Sequence, residues 1–195
     1  MQDWSDLQLL TAYGKGSQSA FAVLMNRHST SVKAYALRML RNVEHAEEIC
    51  SETFLRIAMK KGSWDDRGYS FRSYLFRITH NLAIDLMRRY QTAKRSAEGV
   101  LELTLEQQIR PDPEAQAILG ERATALERAL ARLKEEEREV VLLRCIHGLS
   151  SKETAKILDM NFSQIDAKLS YARKKLKGHL EDVQKADRNR SGGVR

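Results

Sequence analysis

The chain's only two prolines stand together, at Pro111 and Pro113. A proline lacks the backbone donor that a helix interior uses, and its ring pushes the preceding residue out of helical geometry. The long stretches on either side are free of that restriction. Their many Ala, Leu, Glu, Lys and Arg residues are strong helix formers. The expectation is an all-α fold with two small helical domains, residues 1–90 and 114–180, joined by a flexible linker over 91–113. Ser, Thr, Gly and Gln enrich that linker, and a brief helical piece is expected around residues 101–108. Residues 181–195 are polar, include Ser191, Gly192 and Gly193, and are expected to be a disordered tail.

Apolar periodicity fills in the first half. Phe21, Leu24, Met25, His28, Val32, Tyr35, Ala36 and Met39 recur at three-four spacing over residues 17–40, one stripe of one helix. His28 on that stripe reads as a packed, hydrogen-bonded histidine rather than a metal ligand. Val43, Ala46, Ile49, Cys50, Thr53, Phe54 and Ile57 repeat the pattern over 43–61, and Gly62 is expected to end that helix. A polar loop over 62–68 leads to a third long helix over about 70–90.

The second half is helical over 114–132 and 135–147, and then reads SSKETAKILDMNFSQIDAKLSYAR over 150–173. This is two short helices around a tight turn, a helix-turn-helix, which sets its second helix in a DNA major groove. Ser150 with Glu153, and Asn161 with Gln164, fit capping boxes at the two helix starts. Ala155 is small where the helices should cross, and Leu158, Ile165 and Leu169 point inward. Ser163, Gln164, Asp166, Ala167, Lys168, Ser170 and Tyr171 then face outward. Hydroxyl, amide and ammonium groups can meet base edges, and Arg173, Lys174, Lys175 and Lys177 can meet phosphates. The net charge of +7 suits a polyanion.

Two further faces carry chemistry. Residues 69–95 interleave Tyr69, Phe71, Tyr74 and Phe76 with Arg72, Arg77, Arg88, Arg89, Lys94 and Arg95. On a helix, Tyr74, Arg77, Asn81, Ile84 and Arg88 share one stripe, while Phe71, Leu75, Ile78, Leu82 and Leu86 share a core stripe. Rings, amide and cations together suit unstacked bases. On the residues alone, a basic helix with core aromatics is an equally good account. Glu44, Glu48 and Glu52 recur every four residues, continued by Leu55 and Met59. This is either a docking face for a basic protein partner or a solvated face.

Other chemistries find no support in the residues. Cys50 and Cys145 have no ligand spacing, and both are expected to pack as small apolar side chains. No metal site and no cofactor are expected. The sequence holds no P-loop, nucleophile elbow or HExxH, so an enzyme is not expected. No segment resembles a signal peptide or membrane span, so no membrane insertion and a cytoplasmic location are expected.

Taken in order, these features resemble the bacterial sigma factors of the extracytoplasmic-function (ECF) group, in the sigma-70 superfamily. AEEICSETFLRI (46–57) and FRSYLFRITHNLAIDLMRR (71–89) are similar to that group's second conserved region. ALERALARLKEEEREVVLLRCIHGLSSKETAKILDMNFSQIDAKLSYARKKL (125–176) is similar to its fourth. Asp6, Leu7, Gly16, Ala20 and Phe21 match the usual opening. The resemblance implies an RNA polymerase sigma factor that binds core polymerase, reads a two-part promoter and initiates transcription.

It further implies that Glu47, Glu48, Glu52, Phe54 and Leu55 dock on the clamp of the largest subunit of core RNA polymerase, with a further contact at the flap. Tyr69, Arg72, Tyr74, Arg77, Asn81 and Arg88 would read the melted, single-stranded promoter element. Ser163, Gln164, Lys168, Tyr171, Arg173 and Lys174 would read the upstream duplex element. A separate anti-sigma factor is implied as a partner, and nucleoid association when active. Lys134 stands where Pro is common and Asp159 where Gly is frequent. A stand-alone helix-turn-helix regulator is the alternative reading.

Overall fold

Ser5 starts the first helix by reciprocal capping. Its Oγ accepts from the Gln8 N–H at 3.2 Å, and its own N–H donates to Gln8 Oε1 at 2.8 Å. The computed structural model describes residues 1–60, 70–96 and 121–191, all of whose regular elements are helical. They divide into two compact units, Met1–Ala115 and Gln116–Arg195.

The first unit holds α1 (Asp6–Gly14), α2 (Gln18–Leu40), α3 (Val43–Met59) and α4 (Phe71–Ser96). Gly16 turns the chain between α1 and α2 at φ +100, a conformation that L side chains rarely adopt. Arg41 closes α2 in the left-handed region, and Asn42 Oδ1 caps α3 by accepting from the His45 N–H at 2.8 Å. Leu9 and Leu10 of α1, Leu24 and Val32 of α2, Phe54 and Ile57 of α3, and Phe71 and Leu75 of α4 form one core. Asp6 ties α1 to α2, at 2.7 Å from Arg27 Nη1 and 2.8 Å from His28 Nε2. Burial alone would raise the Asp6 carboxyl, but His28 and Arg27 hold it below its ordinary value. His28 is thus the packed, hydrogen-bonded histidine expected from the sequence.

Polar groups also sit inside this unit. Tyr35 Oη lies 3.1 Å from His80 Nδ1, and both residues are buried. Thr53 and Thr79 donate to the carbonyls four residues back, at 2.7 Å from Ile49 O and 3.0 Å from Leu75 O. Each hydroxyl is satisfied within its own helix, and their 3.3 Å separation lets α3 approach α4 closely.

The second unit holds α5 (Glu121–Ala131), α6 (Glu135–Val141), α7 (Ser151–Leu158) and α8 (Phe162–Ser191). A π-helical turn, Leu142–Ile146, continues α6. The chain leaves it through Gly148 at φ +64, with the Leu149 N–H bonded to Leu143 O at 3.0 Å. Both expected capping boxes form: Ser150 with Glu153, and Asn161 with Gln164 at 2.8 and 2.9 Å. Asp159 takes the left-handed turn position at φ 52, where its short polar side chain is tolerated. Lys134 has φ −61, a value proline would share, but its N–H donates to Glu137 Oε2, a bond proline could not make.

Several expectations change. Helix α4 continues to Ser96, past the expected linker start at residue 91. Helix α8 continues to Ser191, so the expected tail is helical for most of its length. Cys50 is half-buried, but Cys145 is exposed rather than packed, because the π turn displaces it from the apolar face. The loop over 62–68, Gly62, the piece at 101–108 and the rest of the linker lie outside the described residues.

Two buried groups titrate in opposite senses. Burial, helped by Arg88, holds His80 at about 4 rather than 6.5. The unfolded chain therefore takes up a proton that the folded first unit refuses. Stability is complete above pH 6.5 and falls by roughly 3 kcal/mol as pH drops towards 4. Burial, with Glu135 nearby, pushes Glu139 up to about 7 from 4.5. Its contribution is complete below pH 4.5 and is lost as pH rises through 7. Both tryptophans, Trp4 and Trp64, lie in the first unit's sequence. Thermal melts followed by tryptophan fluorescence should therefore lose midpoint towards acid. Glu139→Gln should raise a helical melt seen by circular dichroism at pH 8 and not at pH 5.

Candidate functional site

Three faces remain after the cores are filled. On α3 the inward stripe takes Ala46, Ile49, Thr53, Phe54 and Ile57, all buried. The helical period then turns Glu44, Glu48 and Leu55 outward, with Glu52 partly so. Leu55 is 54% exposed and Met59 75% exposed, an apolar end to an acidic stripe. Glu47 is ion-paired with Lys33 of α2, and Glu52 Oε1 accepts from Arg56 Nε at 2.8 Å. Glu48 lies 3.6 Å from His45 Nδ1, and the other nitrogen of that ring is 2.7 Å from the Tyr90 hydroxyl of α4. Phe54 does not belong to this face. It is 3% exposed in the core, where an aromatic on the inward stripe buries more apolar area than it could outside.

On α4 the two expected stripes separate as the period requires. Phe71, Leu75, Leu82 and Leu86 are buried, joined by Phe76, Thr79 and Ala83. Arg77, Asn81 and Arg88 are exposed, while Arg72, Tyr74 and Ile84 are half-buried. The Tyr74 ring leans on the core, with Lys60 Nζ 5.3 Å from its centroid. Arg72 sits 5.8 Å from the Phe76 ring. Of the expected single-strand set, Tyr74, Arg77, Asn81 and Arg88 follow one side of α4, Arg72 lies on the other side beside the buried Phe76, and Tyr69 lies outside the described residues.

On α8, Ile165, Leu169 and Ala172 face inward against the second unit's core. Ser163, Gln164, Asp166, Ala167, Ser170, Tyr171, Arg173 and Lys174 are exposed, and Lys168 is half-buried. Several of these side chains are already engaged. Gln164 Oε1 accepts from the Asn161 N–H, Asp166 Oδ1 accepts from Ser151 Oγ at 3.0 Å, and Lys168 pairs with Glu136 of α6. Lys175, expected to reach phosphate, is instead tied down. It lies 3.1 Å from buried Glu137 and 4.5 Å from the Tyr171 ring centroid.

Sequence reasoning passed over Phe162. It is 58% exposed at the first position of α8, an apolar residue directly after a polar cap, and that contrast was the available signal. Among the described residues, no group of three His, Cys, Asp or Glu could hold a metal ion. No described helix is long and apolar enough to cross a membrane.

Residues 24–93 match the family model of Sigma-70 region 2, and residues 123–176 match that of Sigma-70, region 4, together more than half of the chain. The chain belongs to the sigma-70 family. Within it, the ECF RNA polymerase sigma factor SigW of Bacillus subtilis is 29% identical over 175 residues, 87% of this chain and 93% of SigW. The fold is that of CnrH, solved in complex with the cytosolic domain of CnrY. That match has a TM-score of 0.66 at 23% identity and covers 91% of this chain and 97% of CnrH. The sigma factor RpoE of Bartonella quintana, solved with the anti-sigma factor NepR, gives 0.64 at 20% identity, covering 83% and 96%.

This chain is thus an RNA polymerase sigma factor of the ECF group. The stand-alone regulator falls away, because the region 2 match occupies the unit that such a regulator would use for sensing or dimerising. The placement of two neighbours on α3 of this sigma factor is directly testable. Phe54→Ala should destabilise the first unit by about 3–5 kcal/mol, as large-to-small core changes do. Leu55→Ala should leave stability within about 0.5 kcal/mol. Urea melts of both variants read by tryptophan fluorescence would separate the two, and equal losses would refute the division of this helix.

Proposed function

We propose that this sigma factor binds core RNA polymerase through the α3 face and reads its promoter with one face on each unit. The reading is carried by the exposure of polar and cationic side chains on α4 and α8, on the very segments that match regions 2 and 4. On α3, Glu47, Glu48, Glu52 and Leu55, extended by Met59, offer carboxylates around an apolar end. That chemistry suits the clamp of the largest subunit if the clamp presents basic and apolar groups. On α4, the Tyr74 ring offers stacking, Asn81 offers base-edge hydrogen bonds, and Arg72, Arg77 and Arg88 offer backbone neutralisation. A base unstacked from the melted element would exchange its neighbours for these groups, which holds the strand open. Tyr69 is assigned to the same strand.

On α8, Ser163, Gln164 and Lys168 would reach base edges, while Arg173 and Lys174 would meet phosphates of the upstream duplex. Phe162 adds an apolar contact suited to a thymine methyl. Tyr171 packs against the Lys175 ammonium and serves to shape the face.

The factor itself makes and breaks no bonds; the polymerase performs the chemistry. It acts in the cytoplasm, and on the nucleoid once bound. A separate anti-sigma protein covering the docking faces fits the two structural neighbours, which were solved with such partners or with a cytosolic domain. The region 4 unit would add the flap contact.

The deciding experiment titrates labelled chain into core bacterial RNA polymerase by fluorescence anisotropy. Saturable binding is expected, weakened at least tenfold by Glu48→Lys with Glu52→Lys. Both carboxylates are surface groups, so melting should change by less than about 1 kcal/mol. Unchanged affinity in the folded double variant would remove the α3 docking face. Absence of binding by the folded wild-type chain would refute the proposal as a whole.

A further inference from the structure

Two ion pairs join the start of α6 to α8, and they differ in kind. Glu137 is buried, accepts the Lys134 N–H as well as Lys175, and holds an ammonium that also lies over the Tyr171 ring. That pair is locked into the packing. Glu136 pairs with Lys168 two helical turns earlier on α8, but its side chain is 60% exposed and its partner's 28% exposed. The two lysines are covered to the same degree, so the difference lies in the carboxylates: Glu137 is enclosed, and Glu136 is open to solvent. This second pair sits on the outward side of the helix assigned above to the upstream duplex.

We propose that Glu136 is an affinity-setting residue of this reader: it holds Lys168 off the phosphate backbone and so restrains sequence-independent binding to duplex DNA. This rests on the assignment of α8 as the duplex-facing helix. The magnitudes make the restraint effective. One phosphate contact contributes about fivefold to binding near physiological salt through counterion release. An exposed ion pair contributes at most about fivefold to its own formation. The two are comparable, so the carboxylate removes most of what Lys168 would gain from an arbitrary phosphate. A correctly seated promoter can still offer a better-placed acceptor. The carboxylate also stays charged at any working pH, because the hydrogen bond and charge of Lys168 hold it below its ordinary value. Its place in the first turn of α6, beside Glu135 and Glu137, puts it at a helix end that favours negative charge. The restraint is therefore built into a stable element.

The test uses the full chain and a short duplex of arbitrary sequence, with binding measured from about 50 to 200 mM salt. Glu136→Gln is expected to tighten binding by about fivefold and to steepen the logarithmic salt slope by about one. With Lys168→Ala as the background, Glu136→Gln should bring no further tightening. Matching circular dichroism melts establish that all variants fold. Unchanged or weaker binding by Glu136→Gln would overturn the proposal. So would a gain that persists in the double variant, since the carboxylate would then act without Lys168. A wild-type chain that binds no duplex even at the lowest salt would refute the duplex-facing assignment of α8 itself.

Discussion

Tyr35 of α2 meets the edge of Phe76 of α4 at 5.4 Å between ring centroids, with both rings fully buried, and its hydroxyl reaches His80 one turn further along α4. An aromatic edge-to-face contact tolerates little rotation, and a buried hydroxyl needs its partner. Together they fix the rotation of α4 about its own axis. With a helical period of 3.6, that rotation decides where every other α4 side chain points. Phe71, Leu75 and Leu82 must go inward, and Arg77, Asn81 and Arg88 must go outward. The face proposed for the melted strand is thus set from behind by groups that never touch DNA. Charging His80 would break the same arrangement, because Arg88 and a dry environment both oppose a second proton there.

The helices and their order were legible in the sequence because apolar periodicity and caps are local signals. Ser150–Glu153 and Asn161–Gln164 each announce a helix start within four residues, and both form. Asp159 at a left-handed position was legible for the same reason. What failed depended on distant partners or on departures from the regular helix. Phe54 belongs to the inward stripe by spacing, and only the likeness to a docking surface argued otherwise; burial decides for spacing. Cys145 lies within a π turn, which adds a residue to the helical turn and shifts side chains off the regular helical spacing. Lys175 looked like one more cation in a basic run. The presence of Glu137 against it, 38 residues away, could not be read from either neighbourhood. The continuation of α8 to Ser191 ran against a polar composition that would suit a loop equally well.

Charge in this chain is organised by pairing more than by total. The net +7 would suggest cations broadcast over the surface, yet several are assigned to carboxylates of neighbouring helices. Arg27 is held by Asp6, Lys33 by Glu47, Lys168 by Glu136 and Lys175 by Glu137. Arg173 and Lys174, exposed cations of α8 outside these pairs, fall on the side proposed for phosphate. A sequence-independent field would make such a protein adhere to any nucleic acid. Pairing trims that field to the places where contact is useful.

The two reading faces also need different local rigidity. Helix α7 has eight residues, too few to persist alone in water, and it exists because Ser150 caps it and Ile157 packs inward. It braces α8 through the Ser151–Asp166 hydrogen bond, so the start of the recognition helix is held at a bonded contact rather than by packing alone. A groove-reading helix needs that precision, because base-edge hydrogen bonds fail with small displacements. The α4 face relies instead on the half-buried Tyr74 ring and exposed cations, and stacking on a ring tolerates any base. Precision thus sits on the unit proposed to choose the duplex, and tolerance on the unit proposed to keep the strands apart.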